Sequence, residues 1–261
     1  MPLALLALTI SAFAIGTTEF VIVGLVPTIA EQLAISLPSA GLLVSIYALG
    51  VAVGAPVLTA LTGRFARKKL LVALMVLFTA GNILAWQAPD YTTLVIARLL
   101  TGLAHGVFFS IGSTIATSLV PKEKAASAIA IMFGGLTVAL VTGVPLGTFI
   151  GQHFGWRETF LAVSLLGVIA LVASLLLVPS SIPGRASASL SDQVKVLTHP
   201  RLLLIYAVTA LGYGGVFTAF TFLAPMMQEL AGFSPGAVSW ILLGYGISVA
   251  IGNIWGGKLA D

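Results

Sequence analysis

GTTEFVIVGLVPTIAEQLAIS, residues 16–36, and GGVFTAFTFLAPMMQELAGFS, residues 214–234, fall into register when the chain is shifted 198 positions along itself. Gly16/Gly214, Leu25/Leu223, Pro27/Pro225, Glu31/Glu229 and Ser36/Ser234 coincide. The match runs outward without gaps to Leu5/Leu203 and Ala12/Ala210 on one side. On the other it reaches Tyr47/Tyr245, Val51/Val249, Gly54/Gly252 and Leu61/Leu259. Shared Leu and Ala carry little in so apolar a chain, whereas aligned Gly, Pro, Glu and Tyr carry more. A duplicated block of this length in a hydrophobic chain is the pattern of a protein built from two related membrane halves. The second copy reaches Asp261, where the first is entering its third hydrophobic span.

Composition sets the compartment. Of 261 residues, 59% are hydrophobic and 8% charged, and the mean hydropathy is +1.12. A soluble domain carries roughly 25% charged residues. A helix needs about 20 largely apolar residues to cross about 30 Å of hydrocarbon, and eight such stretches divide the chain: 4–27, 39–62, 69–88, 92–119, 125–150, 158–178, 202–227 and 237–257. They are read as helices because a chain in lipid must satisfy its own backbone polar groups. No charged n-region with a small-residue cleavage site precedes the first span, which is therefore expected to be retained. With no cysteine, disulfides and thiolate metal sites are excluded.

Charge placement gives the expected orientation. With the N-terminus inside, the inner loops hold Arg64, Arg67, Lys68, Lys69, Lys122, Lys124, Arg185, Lys195, Arg201 and Lys258. The outer loops hold Arg157 alone, and Arg98 lies within a span. The positive-inside rule selects this arrangement. It also accounts for the pI of about 9.6 without any contiguous basic surface for nucleic acid.

The one long polar break, 179–201, opens with Pro, Ser and Gly and reads as a cytoplasmic linker. It separates a six-helix unit at 1–178 from the start of a second unit at 202–261. Leu190, Val194 and Leu197 recur within it at helical spacing, as in a short helix lying on the inner membrane surface. An irregular hinge fits the same residues.

Three motifs carry a family resemblance. Leu94-Val-Ile-Ala-Arg98-Leu-Leu-Thr-Gly102-Leu-Ala-His-Gly106 resembles the fourth-span motif of major facilitator superfamily transporters. The loop Thr62-Gly63-Arg64-Phe-Ala-Arg67-Lys68-Lys69 resembles the basic cytoplasmic loop of that superfamily. Gly143-Val-Pro145-Leu-Gly147-Thr, followed by Gly155-Trp156-Arg157-Glu158-Thr-Phe160, is similar to the fifth-span motif of its twelve-span drug:proton antiporters. The nearest branch is that of bacterial sugar-efflux and chloramphenicol-resistance-type permeases. There are departures. Gly63 stands where the loop motif has an acid, Ala66 where it has Gly, Thr101 where the fourth span usually has Gln, and Val144 where the fifth usually has Gly. The second copy, Gly257-Lys-Leu-Ala-Asp261, keeps the acid. The resemblance implies gating roles for Arg64, Arg67, Lys68, Gly143, Pro145, Gly147 and Asp261.

Glu19 is the leading functional candidate. A carboxylate inside a span is costly, about 2.5–3.5 kcal/mol by insertion scales, so it needs a partner, water or a proton. The matching position in the second copy is Phe217, so the scaffold is duplicated and the acid is not. Bonding to neighbouring backbone, or to Thr17 or Thr18, is the structural alternative. Arg98 is the expected companion. At about 1.5 Å rise per residue, Glu19 lies about 12 Å from Pro27 and Arg98 about 9 Å from Thr92, similar depths from one face. A pair or a shared water cavity fits, as does an Arg98 bonded to backbone carbonyls. In the family it resembles, the matching Arg is associated with proton coupling. His105, two turns deeper, suits substrate hydrogen bonding, proton relay or packing. Tyr47, Tyr213 and Phe217 are candidate substrate contacts, the latter two four residues apart on one helix face.

The glycine pairs Gly50/Gly54, Gly102/Gly106 and Gly252/Gly256 and the series Gly143, Gly147, Gly151 are spaced by four, which lets helix backbones approach closely. A moving gate and static packing both use such faces, and Pro145 bends the fifth span.

An enzyme fares poorly, with no H-E-x-x-H or G-x-S-x-G and with His105, His153 and His199 scattered. No cofactor or metal site is expected, and nothing reads as a channel filter. The expectation is an all-α polytopic bundle of the major facilitator type, a fragment showing about eight of twelve expected helices. The implied function is proton-coupled efflux of small organic molecules across a bacterial inner membrane, by a protein that is monomeric at full length and takes small-molecule substrate and protons as its partners. An importer, or a non-transporting scaffold or receptor, is the alternative.

Overall fold

The computed structural model describes residues 2–62, 65–180, 182 and 198–260. Eight helices within these are long and apolar enough to cross a membrane. They are α1 (Leu3–Gln32), α2 (Leu37–Val53, carried on by a π turn at Gly54–Leu58), α3 (Arg67–Trp86) and α4 (Tyr91–Ser118). α5 comprises Ala125–Val138, a π turn at Ala139–Gly143 and Val144–Phe154. α6 (Trp156–Leu177), α7 (Pro200–Thr221) and α8 (Pro235–Ala260) complete the bundle. No strand occurs among the described residues. Arg64, Asp261 and the Leu190–Leu197 surface-helix expectation lie outside them.

The helix ends follow from local chemistry. Ser36 caps α2, its hydroxyl accepting from the Ser39 N–H at 3.2 Å. Gly155, at φ 102°, makes the one-residue corner between α5 and α6, a conformation that side chains disfavour. Pro56 lies inside the first π turn, Pro145 two residues after the second, and Pro225 directly before a third at Met226–Leu230. A proline has no N–H to give, so the ladder widens beside it.

α1 runs through the middle, its buried residues extending from Ala4 to Ala30. α2 and α4 touch backbone to backbone through their glycine pairs: a Cβ on Gly50 would stand 2.7 Å from the Leu99 carbonyl, and one on Gly106 2.6 Å from that of Val51. The spacing in the sequence anticipated this. The α5 series packs on α1 instead, with Gly143 against Thr17, Gly147 against Val21 and Gly151 against Leu25. α7 and α8 lean on the first six helices through their distal halves, the ends near Phe222 and Ser239. Phe222 meets Gly41, Ser239 donates to Gln152 Oε1 at 3.2 Å, and Gly246 meets the Leu140 carbonyl. Most of α7, from Leu203 through Val216, is exposed.

Candidate functional site

Glu19 on α1, Tyr47 on α2 and Arg98 and His105 on α4 converge. Two turns of helix separate Arg98 from His105, so both face the groove between α1 and α2. Arg98 is fully buried at 1% exposure. Its Nη1 donates to the Thr18 carbonyl at 2.7 Å and its Nε to the Leu43 carbonyl at 3.3 Å. The guanidinium lies 4.2 Å over the Tyr47 ring. One side chain therefore ties α4 to both α1 and α2, using the planar fork that only arginine has. Its Nη2 is buried with no hydrogen-bond partner.

Glu19 does not pair directly with Arg98. Instead Glu19 Oε2 lies 3.7 Å from His105 Nδ1, a contact that becomes an ion pair when the imidazole is protonated. That same nitrogen lies 2.9 Å from the Tyr47 hydroxyl. Neither neighbouring threonine serves Glu19: Thr17 donates to the Phe13 carbonyl and Thr18 to Asn82 Oδ1. With 21% of its side chain exposed against 12% for His105, Glu19 is the more accessible of the two, while Arg98 is sealed. An accessible acid beside an imidazole can exchange a proton; a sealed arginine can hold the local field and the helix positions.

Phe217, the repeat partner of Glu19, comes within 6.1 Å of Phe20 and 6.0 Å of Tyr213, ring to ring. Phe20 follows Glu19 directly, so the ring at the second copy's matching position packs on the residue next to the acid. Arg67 is buried and Lys68 half-buried at the opposite, terminal end of the bundle, away from this cluster.

Two participants were missed from sequence. Asn82 on α3, fully buried, accepts from Thr18 at 2.6 Å and donates to the Phe78 carbonyl at 2.8 Å. A lone amide in an apolar span was the available signal. Phe109 stands 4.9 Å from His105 and 4.8 Å from Phe133, linking the cluster to α5; phenylalanine in such a chain gives no signal.

A family model described as Major Facilitator Superfamily matches residues 8–261. The "Uncharacterized MFS-type transporter YtbD" of Bacillus subtilis (strain 168) is 56% identical over 258 residues, which are 99% of this chain and 65% of that protein. The "Inner membrane transport protein YdhP" of Escherichia coli (strain K12) is 47% identical over 98% of this chain and 66% of its own. The chain thus spans just under two thirds of these relatives. Among solved structures, a bacterial homologue of the human lysosomal transporter Spinster, inward-facing and occupied, superposes with a TM-score of 0.75 at 20% identity. That match covers 98% of this chain and 60% of the other. At such identity the likeness shows the fold.

Proposed function

Because the chain belongs to the Major Facilitator Superfamily, we propose that it forms the greater part of a proton-coupled exporter of small organic molecules working by alternating access. Glu19 carries this reading. It is an acid in the middle of a span, partly accessible, set against His105 and absent from the duplicate position. The duplicated segments fit the alternating access of repeat-built transporters, in which one half rocks against the other. Export is supported by the α5 residues Gly143, Pro145 and Gly147, which resemble those of antiporters. The loop charges support a cytoplasmic N-terminus, and the name of the Escherichia coli relative supports an inner membrane.

The test is uptake of a panel of radiolabelled organic molecules into inside-out vesicles, acid inside, carrying a twelve-span chain that contains this sequence. Accumulation is expected, and Glu19→Gln should abolish it, because an amide keeps the shape but releases no proton. Accumulation untouched by Glu19→Gln would move the coupling site elsewhere. Gradient-driven loss from the same vesicles would make the protein an importer.

A further inference from the structure

Between α1, α5, α7 and α8 lies a cavity of about 940 Å³, within the range of pockets that hold drug-sized molecules. Six aromatic residues line it: Phe20, Phe133, Tyr213, Phe217, Phe220 and Tyr245. Five of the rings, all but that of Phe133, form a continuous wall across α1, α7 and α8. Phe217 stands 6.2 Å from Phe220, and Phe220 stacks on Tyr245 at 4.6 Å. Thr137, Thr209 and the two phenols are the polar side chains of the lining, and no charged side chain is part of it.

From this lining we infer that the cavity takes an uncharged, planar aromatic molecule rather than a sugar or an organic ion. A sugar presents hydroxyls on every side, and each one buried against phenyl faces loses its water without gaining a partner. An organic ion would leave its charge desolvated with no opposite charge in the wall. A flat ring system instead continues the stacked and tilted contacts the wall already makes among its own rings. The opposite side of the lining reaches the polar cluster. Phe133 packs on Phe109 and Phe109 on His105, so a ligand against Phe133 bears, through one further ring, on the imidazole facing Glu19.

Calling this molecule a cargo rests on the transport reading; its binding does not. The experiment is photolabelling of the 261-residue protein in lipid nanodiscs with benzophenone, mapped by mass spectrometry. Adducts are expected on the segments holding Phe133–Leu140 or Val208–Phe220, protected by excess 2-naphthol and unprotected by D-xylose or by the aromatic cation ethidium. Phe217→Leu, which keeps apolar bulk and loses the ring, should weaken naphthol protection about fivefold, and Phe217→Trp should restore it. Tyr213→Leu, at a position 66% exposed, supplies the same comparison at a less buried ring, whose stacking on Phe217 is also lost. Protection by xylose or ethidium equal to that by naphthol, adducts that naphthol does not suppress, or full protection in both leucine variants would overturn the inference. Naphthol binding without proton-driven transport would sink the transport reading alone; transport without naphthol binding here would sink this one alone.

Discussion

The Tyr47 hydroxyl lies 2.9 Å from His105 Nδ1, the same nitrogen that faces Glu19 at 3.7 Å. One ring nitrogen thus serves a phenol and a carboxylate, and its tautomer decides which it answers. Tyr47→Phe removes the hydroxyl and keeps the ring under Arg98. It should lower stability by about 1 kcal/mol. The double variant with His105→Ala should fall short of additivity by at least about 0.5 kcal/mol. Strict additivity in thermal or denaturant unfolding would show that the two side chains do not act together.

Arg98→Lys tests the fork. An ammonium cannot reach the Thr18 and Leu43 carbonyls together and also lie flat over Tyr47. A loss of about 1–3 kcal/mol is expected from one abandoned buried acceptor contact. Wild-type melting of Arg98→Lys would reduce the residue to a point charge.

Close helix approach makes a sharp steric prediction. A methyl group on Gly102 runs into the Tyr47 carbonyl, whereas one on Gly134 meets nothing within 4 Å. Gly102→Ala should destabilise by about 1–3 kcal/mol, while Gly134→Ala should be neutral or stabilise by up to about 1 kcal/mol through helix propensity. Equal melting temperatures for the two variants would show that α2 and α4 are not in backbone contact.

Asp90 caps α4 from outside the membrane span, accepting from the Thr93 N–H at 2.8 Å. That backbone bond first, and the Thr93 side chain second, hold its carboxyl below the ordinary value of 3.8. A lowered folded-state value means the cap's contribution is whole above the ordinary value and drains away as pH falls through the lowered one. Melting temperature should therefore drop on acidification below about pH 4, and Asp90→Asn, which caps without titrating, should drop less. An identical acid slope in Asp90→Asn would remove the cap from the acid response.

Orientation is open to a direct chemical check, since the chain has no cysteine of its own. His153 and Glu123 are both exposed, at opposite ends of α5. In intact cells an impermeant thiol reagent should modify His153→Cys and spare Glu123→Cys. The reverse pattern would invert the orientation.

Sequence alone determined the spans, because the transfer of some twenty apolar residues into hydrocarbon overrides any local detail. It also marked Glu19 and Arg98, because charge in a span is rare and costly, and the α2 and α4 glycine pairs, whose spacing by four needs no knowledge of the partner. Tertiary structure decided who meets whom. Depth along a helix follows from the rise per residue, and the estimate that set Arg98 level with Glu19 is met by its bond to the neighbouring Thr18 carbonyl. The direction in which a side chain points is not legible in the same way. Helices surrounded by lipid on one side and by packed apolar neighbours on the other carry no strong amphipathic pattern to name the inward face. For that reason the pairing of Glu19 with His105 rather than Arg98, the Thr18–Asn82 link and the seating of the α5 glycines on α1 emerged only once the helices were packed together.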